Sequence, residues 1–271
     1  MINLIVQFYQ VKYENVSEEL IKKRQEEINY CFYENYLNKN IDKIHFLYEN
    51  QEDVDYMEEK LNISRNDNKI ILFNLGKRIN YQDIFKYSRN YNKNNIWVYL
   101  HADMKVEKGF ELIDKNLAEN NIFCLTAHKK ECNDKLKCDC TRQYTTPYGI
   151  FSPTFDGFIF RGWIKEKVIK RCNHIVHCLG AENRTIAILK QEGHMVYCPN
   201  NSIKCRHVHD VQIFAKEHKQ WINLEGRFKP QEYYSKKHRE QKNKDFSDKI
   251  IGGGIPFYLG TVQFIEFDKN Q

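Results

Sequence analysis

The chain has 271 residues, 41% of them hydrophobic and 14% aromatic, so it can bury a sizeable core and is not globally disordered. It has no apolar run of about eighteen residues, the length that a membrane-spanning helix needs. The net charge of +6 is mild and does not favour nucleic acid as a partner. The nine cysteines lack the spacing of a disulfide framework, and the N-terminus lacks signal-peptide features. We therefore expect reduced thiols and a cytoplasmic location.

Short apolar runs alternate with helical patterns in the first half of the chain. Strands are predicted at 4–8, 44–48, 69–74, 96–100 and 122–126, and helices after Ser17 and at 53–60, 81–90 and 109–120. This alternation is typical of βαβ units, in which helices connect parallel strands. The sequence therefore predicts an α/β fold with a mainly parallel, mixed sheet flanked by helices.

A polar, cysteine-rich stretch at 127–147 interrupts this pattern. Its residues Cys132, Cys138 and Cys140, with His128, could form a structural zinc site. Their spacing is not a standard zinc motif, so a loop with free thiols is the favoured interpretation. The pattern then resumes, with strands predicted at 158–160, 195–197 and 203–208 and helices at 165–172 and 182–192.

The composition changes after residue 209. A basic run at 229–249 leads to a glycine triplet at 252–254 and an apolar end at 255–267. Glycines favour a flexible joint, whereas the apolar end is too hydrophobic to stay solvated. We therefore divide the chain into a core domain, 1–209, and a basic linker with an apolar C-terminal extension, 210–271. We expect the extension to fold back on the core, or to cover an acceptor site or a second subunit.

Polar side chains that follow predicted strands are candidates for the site, because open α/β sheets bind ligands at the carboxyl ends of their strands. Asp103 follows the predicted strand at 96–100. Its carboxylate could bind a metal ion or a sugar hydroxyl, or it could cap the next helix. His207 and His209 are two residues apart, so on an extended segment they point the same way. They could bind a metal ion or be surface histidines.

Several loose motifs occur in an order that suggests a known family. They are G-K-R-I-N-Y-Q-D at 76–83, H-A-D at 101–103, S-P-T-F-D-G-F-I-F at 152–160, G-A-E-N at 180–183, and a segment from Pro199 to I-K-C-R-H-V-H at 203–209. Together they resemble the motifs of GT-A-fold glycosyltransferases that lack a complete Asp-x-Asp motif. The resemblance extends from residue 4 to about residue 209, and it implies a Rossmann-like nucleotide-binding half.

The resemblance also implies roles for residues that bind the nucleotide sugar. Lys77, Arg78 and Asp83 would line the nucleotide pocket. Asp103 would bind the diphosphate through a metal ion, and His207 or His209 would complete the metal site.

Two further acids correspond to residues near the acceptor. Asp156 is one, and Glu182, at the start of a predicted helix, is where the family's catalytic base usually lies. A glutamate at a helix start could instead simply favour the helix dipole. His101 stands where the first acid of Asp-x-Asp is expected. That replacement could weaken Mn²⁺ or Mg²⁺ binding or favour softer metals.

The implied activity is hexosyl or pentosyl transfer from a nucleoside-diphosphate sugar to a hydroxyl of a glycan, protein or small molecule, assisted by Mn²⁺ or Mg²⁺. The alternative is a catalytically inactive module of the same fold that binds nucleotide sugars or other partners. A nucleotidyltransferase is less favoured, because it usually has a glycine-rich, basic loop after its first strand. Here that strand is followed by Tyr9-Gln10-Val11-Lys12.

Overall fold

The structure is a computed structural model that describes residues 1–13, 16–126, 155–176, 178, 180–209 and 262–267, together with the backbone of short strands between them. The strands are β1 (Ile2–Val6), β2 (Lys43–Tyr48), β3 (Ile70–Asn74), β4 (Ile96–Leu100), β5 (Met104–Lys108), β6 (Asn121–Leu125), β7 (Tyr144–Thr146), β8 (Gly149–Phe151), β9 (Gly157–Arg161), β10 (Met195–Cys198), β11 (Lys204–His207), β12 (Gln220–Ile222), β13 (Phe228–Pro230), β14 (Ile250–Ile251), β15 (Ile255–Pro256) and β16 (Gln263–Phe264). The helices are α1 (Glu18–Leu37), α2 (Gln51–Leu61), α3 (Tyr81–Asn92), α4 (Ile113–Asn116), α5 (Glu166–Arg171) and α6 (Ala181–Gln191), with a 3₁₀ turn at Phe110–Leu112.

The main sheet in the described part of the chain has eight strands in the order β16-β10-β6-β9-β4-β1-β2-β3. Neighbouring strands are parallel except at β9, which pairs antiparallel with both β4 and β6. The predicted α/β class, with a mainly parallel mixed sheet flanked by helices, is confirmed.

Helices cover both faces of this sheet. Side chains alternate between the faces along a strand, so Leu4 and Val6 of β1 enter one core and Ile5 enters the other. Helices α1 and α2 pack on the first face, and α3, α5 and α6 pack on the second. Ser17 accepts a hydrogen bond from the amide of Leu20 and so caps α1.

The segment after β4 differs from the helix predicted at 109–120. The chain forms β5, then a 3₁₀ turn and the four-residue helix α4. Gly109 precedes the 3₁₀ turn with a φ of +87°, and its backbone lies against the carbonyl of Ser202, where a side chain would clash. Strand β5 pairs antiparallel with β11, and this two-stranded ribbon emerges from the carboxyl end of β4.

The C-terminal residues 262–267 lie at the edge of the main sheet. Strand β16 pairs with β10, and the ring of Phe267 packs against Phe123 at a centroid distance of 5.3 Å. The amide of Phe267 donates a 2.7 Å hydrogen bond to the hydroxyl of Ser202. The domain boundary at 209/210 stays a prediction.

Two expectations concern residues outside the described part of the chain. These are the zinc site of Cys132, Cys138, Cys140 and His128 and, beyond residue 230, the basic run at 229–249. Among the helices that the structure does describe, none combines the length and apolarity needed to cross a membrane.

Candidate active site

The candidate site lies where the strand order reverses. From β1 the chain continues to β2 on one side and later returns to β4 on the other. Open α/β sheets bind ligands in the crevice at such a reversal, which here corresponds to the carboxyl ends of β1 and β4. A turn follows β4 directly, closed by a hydrogen bond from the amide of Met104 to the carbonyl of His101 at 3.1 Å. This turn places Asp103 at the crevice.

Asp103 meets the two predicted histidines there, and we call these three residues the cation cluster. Nε2 of His207 lies 3.0 Å from Oδ2 of Asp103, and Nδ1 of His209 lies 3.3 Å from the same oxygen. The ribbon sets this geometry, because His207 stands opposite Met104 and the amide of Val208 bonds to the carbonyl of Asp103. The structure thus brings together the residues for which the sequence predicts a metal role.

The charged groups around Asp103 shift one another's pKa values toward their ionised forms. Burial alone would raise the pKa of Asp103, but His207 and then Arg24 and His209 hold that pKa well below its usual range. Burial alone would lower the pKa of His207, but the carboxylate of Asp103 raises it to about 9. Without a bound cation, an ionised Asp103 therefore faces a protonated His207.

The donor set of the cation cluster fits a divalent metal ion. The three ligand atoms lie within 4.8 Å of one another. Ligand atoms that share one transition-metal ion, with bonds of roughly 2.0–2.2 Å, lie about 3–4 Å apart. Only small side-chain movements would therefore bring one carboxylate and two imidazoles onto one ion.

Arg24 also contacts this cluster, and the sequence did not single it out. Its Nη2 donates to Oδ2 of Asp103 at 2.6 Å, and its Nη1 donates to Oε2 of Glu27 at 2.7 Å. All three side chains are buried. Arg24 follows Lys22 and Lys23 in a helix rich in charge, so nothing in the sequence separates it from solvated neighbours.

A second group, the acid cluster, lies beside the first and consists of His101, Asp156 and Glu182. Nδ1 of His101 lies 3.8 Å from Oδ1 of Asp156, and Nε2 lies 3.5 Å from Oε1 of Glu182. Asp156 reaches this edge because β9 is antiparallel to β4, so its start lies beside the end of β4. The side chain of His101 thus faces the two acids. Among the described residues, the group that could hold a metal ion is Asp103, His207 and His209, and His101 is not part of it.

Glu182 has the environment of a proton-transfer group. It lies in the first turn of α6, and its side chain is buried. Burial raises its pKa to about 8, and the nearby charge of Asp156 contributes to the rise. The hydroxyl of Tyr81 donates to Oε1 of Glu182 at 3.4 Å. A carboxyl group with this pKa can gain or lose a proton near neutral pH.

Electrostatic effects link the two clusters. Asp156 contributes to the raised pKa of His207 in the cation cluster. Burial raises the pKa of Tyr99, on β4, and the charges of Glu182 and Asp103 add to this rise. The two clusters therefore belong to one site at the carboxyl end of the central strands.

Of the three residues predicted to line the nucleotide pocket, Lys77 and Arg78 lie in the loop before α3 and Asp83 lies in its first turn. Asp83 forms a capping box with Asn80, in which each side chain accepts a hydrogen bond from the other's backbone amide. Nζ of Lys77 lies 2.8 Å from Oδ2 of Asp83. The guanidinium of Arg78 is close enough to lower the pKa of buried Tyr99, against the larger effects that raise it. Of the three, Arg78 is thus the residue whose charge acts on Tyr99, which lies against His101 of the acid cluster.

The sequence matches no protein-family model and no curated protein. Structural comparison finds similarity to HddC from Yersinia pseudotuberculosis, with 10% identity, a TM-score of 0.40 and coverage of 64% of this chain and 81% of that one. It also finds 2-C-methyl-D-erythritol 4-phosphate cytidylyltransferase from Francisella tularensis, with 11% identity, a TM-score of 0.40 and coverage of 79% and 94%. A third is 4-diphosphocytidyl-2C-methyl-D-erythritolsynthase from Anaerococcus prevotii, with 10% identity, a TM-score of 0.41 and coverage of 79% and 89%. At these TM-scores the neighbours assign no activity to the chain.

Proposed function

We propose that the chain is a nucleotide-sugar enzyme that transfers a sugar from a nucleoside-diphosphate sugar to a hydroxyl acceptor. One observation carries this proposal: a cation cluster and a proton-transfer group lie side by side at the crevice between β1 and β4. Transfer of a sugar needs both, because negative charge develops on the leaving diphosphate while the acceptor hydroxyl loses a proton.

The cation cluster would serve the leaving group. Asp103, His207 and His209 would hold a divalent cation, which supplies positive charge to the diphosphate. The carboxylate of Asp103 is already oriented by its contact with His207 at 3.0 Å. Arg78, on the loop before α3, would contribute a further positive charge to the nucleotide side of the site, and Lys77, fixed by Asp83, would lie on the same loop.

The acid cluster would serve the acceptor. Glu182 would accept the proton of the acceptor hydroxyl, since its pKa of about 8 lies near neutral pH. His101 and Asp156 border the carboxyl group of Glu182 and would limit its movement. Asp156 would also provide a carboxylate that can hydrogen-bond to sugar hydroxyls.

Nucleotidyl transfer is the competing reaction on an α/β sheet of this kind. The loop after β1 argues against it, because the segment from Gln7 to Tyr13 has no glycine and buries the side chains of Phe8 and Val11. The amide of Gln10 donates to Asp53 at 2.9 Å, which fixes the loop further. This packed loop is a poor match for a phosphate-binding, glycine-rich turn.

Product identification tests the proposal against both alternatives. The protein is incubated with Mn²⁺ and a panel of uridine, guanosine and thymidine diphosphate sugars, with simple glycosides as acceptors and water as the default acceptor. The proposal predicts release of the nucleoside diphosphate. In a parallel incubation with a sugar 1-phosphate and a nucleoside triphosphate, formation of pyrophosphate would identify a nucleotidyltransferase. Binding of a nucleotide sugar without either product would identify an inactive binding module.

A further inference from the structure

Arg24 forms two buried ion pairs, one with Asp103 of the cation cluster and one with Glu27 on its own helix, α1. Its guanidinium bonds to Asp103 at 2.6 Å and to Glu27 at 2.7 Å, and its side chain is only 7% exposed. A guanidinium remains charged in proteins. If it moved away, the buried carboxylates of Asp103 and Glu27 would lose this positive charge, which is costly in a buried site.

The contact of Arg24 involves the same oxygen that faces the histidines. Oδ2 of Asp103 lies next to Arg24, His207 and His209. A cation held by these side chains would therefore share its carboxylate with a fixed positive charge. Like charges a few ångströms apart in a partly desolvated site repel each other strongly.

We infer that Arg24 is a positioning residue of the cation cluster, which orients the carboxylate of Asp103 and keeps the affinity for a divalent cation low. This inference rests on the proposed function, because it requires a cation at Asp103, His207 and His209. It deepens that proposal in one respect. The cation is held firmly only when the anionic diphosphate of the donor is present, since that group offsets the charge of Arg24.

The test measures binding of Mn²⁺ alone, without nucleotide, from the electron paramagnetic resonance signal of the free ion. In Arg24→Gln the side chain can still hydrogen-bond to Asp103 but carries no charge. We expect the dissociation constant for Mn²⁺ to fall at least about tenfold. Arg65→Gln is the matched control, because Arg65 also bonds to acidic side chains, Asp55 and Glu58, but at the surface. Its Mn²⁺ affinity should equal that of the wild type.

Two further variants separate the loss of charge from damage to the fold. Arg24→Gln also removes the ion pair between Arg24 and buried Glu27, so the double variant Arg24→Met/Glu27→Leu is measured beside it. Apolar replacement of a whole buried ion pair is often tolerated, and the same tightening is expected. Arg24→Lys keeps the charge and should remain within about threefold of the wild type. Thermal unfolding of each variant reports whether it is folded.

The possible outcomes distinguish this inference from the proposed function. Unchanged or weaker Mn²⁺ affinity in a folded charge-removing variant overturns the inference, and if the wild type still binds Mn²⁺ through Asp103, the proposed function stands. Mn²⁺ binding that appears only when Arg24 is replaced supports the inference strongly. The absence of Mn²⁺ binding in the wild type and in all variants overturns both.

Discussion

His207 and Asp103 lie 104 residues apart in the chain, yet Nε2 of His207 is 3.0 Å from Oδ2 of Asp103. Pairing of β5 with β11 produces this contact, since it sets His207 opposite Met104. The cation cluster therefore depends on the folded ribbon and has no counterpart in the unfolded chain. Cation binding should accordingly stabilise the fold, because a ligand that binds only the native state favours it.

The ligand types of the cation cluster predict its metal preference. Two imidazoles and one carboxylate suit first-row transition metals better than Mg²⁺ or Ca²⁺, which prefer oxygen ligands. We expect Mn²⁺ or Co²⁺ to bind at least about tenfold more tightly than Mg²⁺. Competition titrations of the wild type measure this, with His209→Ala expected to reduce the difference. Equal affinities for Mn²⁺ and Mg²⁺ would contradict the proposed ligand set.

The raised pKa of Glu182 predicts that the rate of the reaction depends on pH. As the general base it must be ionised, and its pKa is about 8. The kcat/KM of the wild type should therefore increase with pH up to about 8. Glu182→Gln should lower kcat by at least about 100-fold and remove this dependence, while donor binding stays near normal. A variant that retained the wild-type pH profile would show that another group accepts the proton. Asp156→Asn is the parallel variant.

The same residue predicts a pH dependence of stability. The pKa of Glu182 is raised in the folded protein, so the folded state retains a proton that the unfolded chain releases above about pH 4.5. The free energy of unfolding that this group contributes is therefore present at low pH and declines as the pH rises to about 8. Relative to the wild type, the Tm of Glu182→Gln should rise by roughly 5–10 °C between pH 5 and pH 8.5. The exposed-site variant Glu59→Gln should show no such trend, and a constant Tm difference for Glu182→Gln would refute the account.

Substitutions near the start of α3 can distinguish residues that stabilise the helix from a residue that would bind the donor. Asp83→Ala removes one half of the capping box and should lower the free energy of unfolding by about 1 kcal/mol. Asn80→Ala, which removes the other half, is the control and should cost about as much. Arg78→Ala should raise the KM for the donor at least about tenfold, since in the proposed function Arg78 supplies a positive charge to the nucleotide side of the site. The proposed pocket would be wrong if donor KM were the same in Arg78→Ala and the wild type.

Much of the fold could be predicted from the sequence because the central strands are continuous apolar runs. The strand at 96–100 (Ile-Trp-Val-Tyr-Leu) is fully buried, and its predicted bounds agree with β4. Strand β5, Met-Lys-Val-Glu-Lys, was missed because it is short and has only two apolar residues, Met104 and Val106. The sequence also could not predict that β9 runs antiparallel to β4, since an apolar run has the same composition in both orientations.

The sequence points to candidate residues where they follow strands or open helices, as Asp103 and Glu182 do. The spacing of His207 and His209 predicts that they point the same way, and the structure places both beside Asp103. The sequence could not predict that the side chain of His101 faces Asp156 and Glu182, because this depends on how β9 and α6 are placed around β4. Arg24 was missed because only the tertiary structure reveals which member of a charged helix is buried.

A crystal structure with Mn²⁺ and the nucleoside diphosphate product would locate the cation and the nucleotide together, through the anomalous scattering of manganese. We expect one anomalous peak about 2.0–2.3 Å from Oδ2 of Asp103 and from a ring nitrogen of each of His207 and His209. The diphosphate should contact this ion, and the carboxyl group of Glu182 should face the open side of the crevice. A manganese peak elsewhere, or a nucleotide bound away from the crevice between β1 and β4, would contradict this expectation.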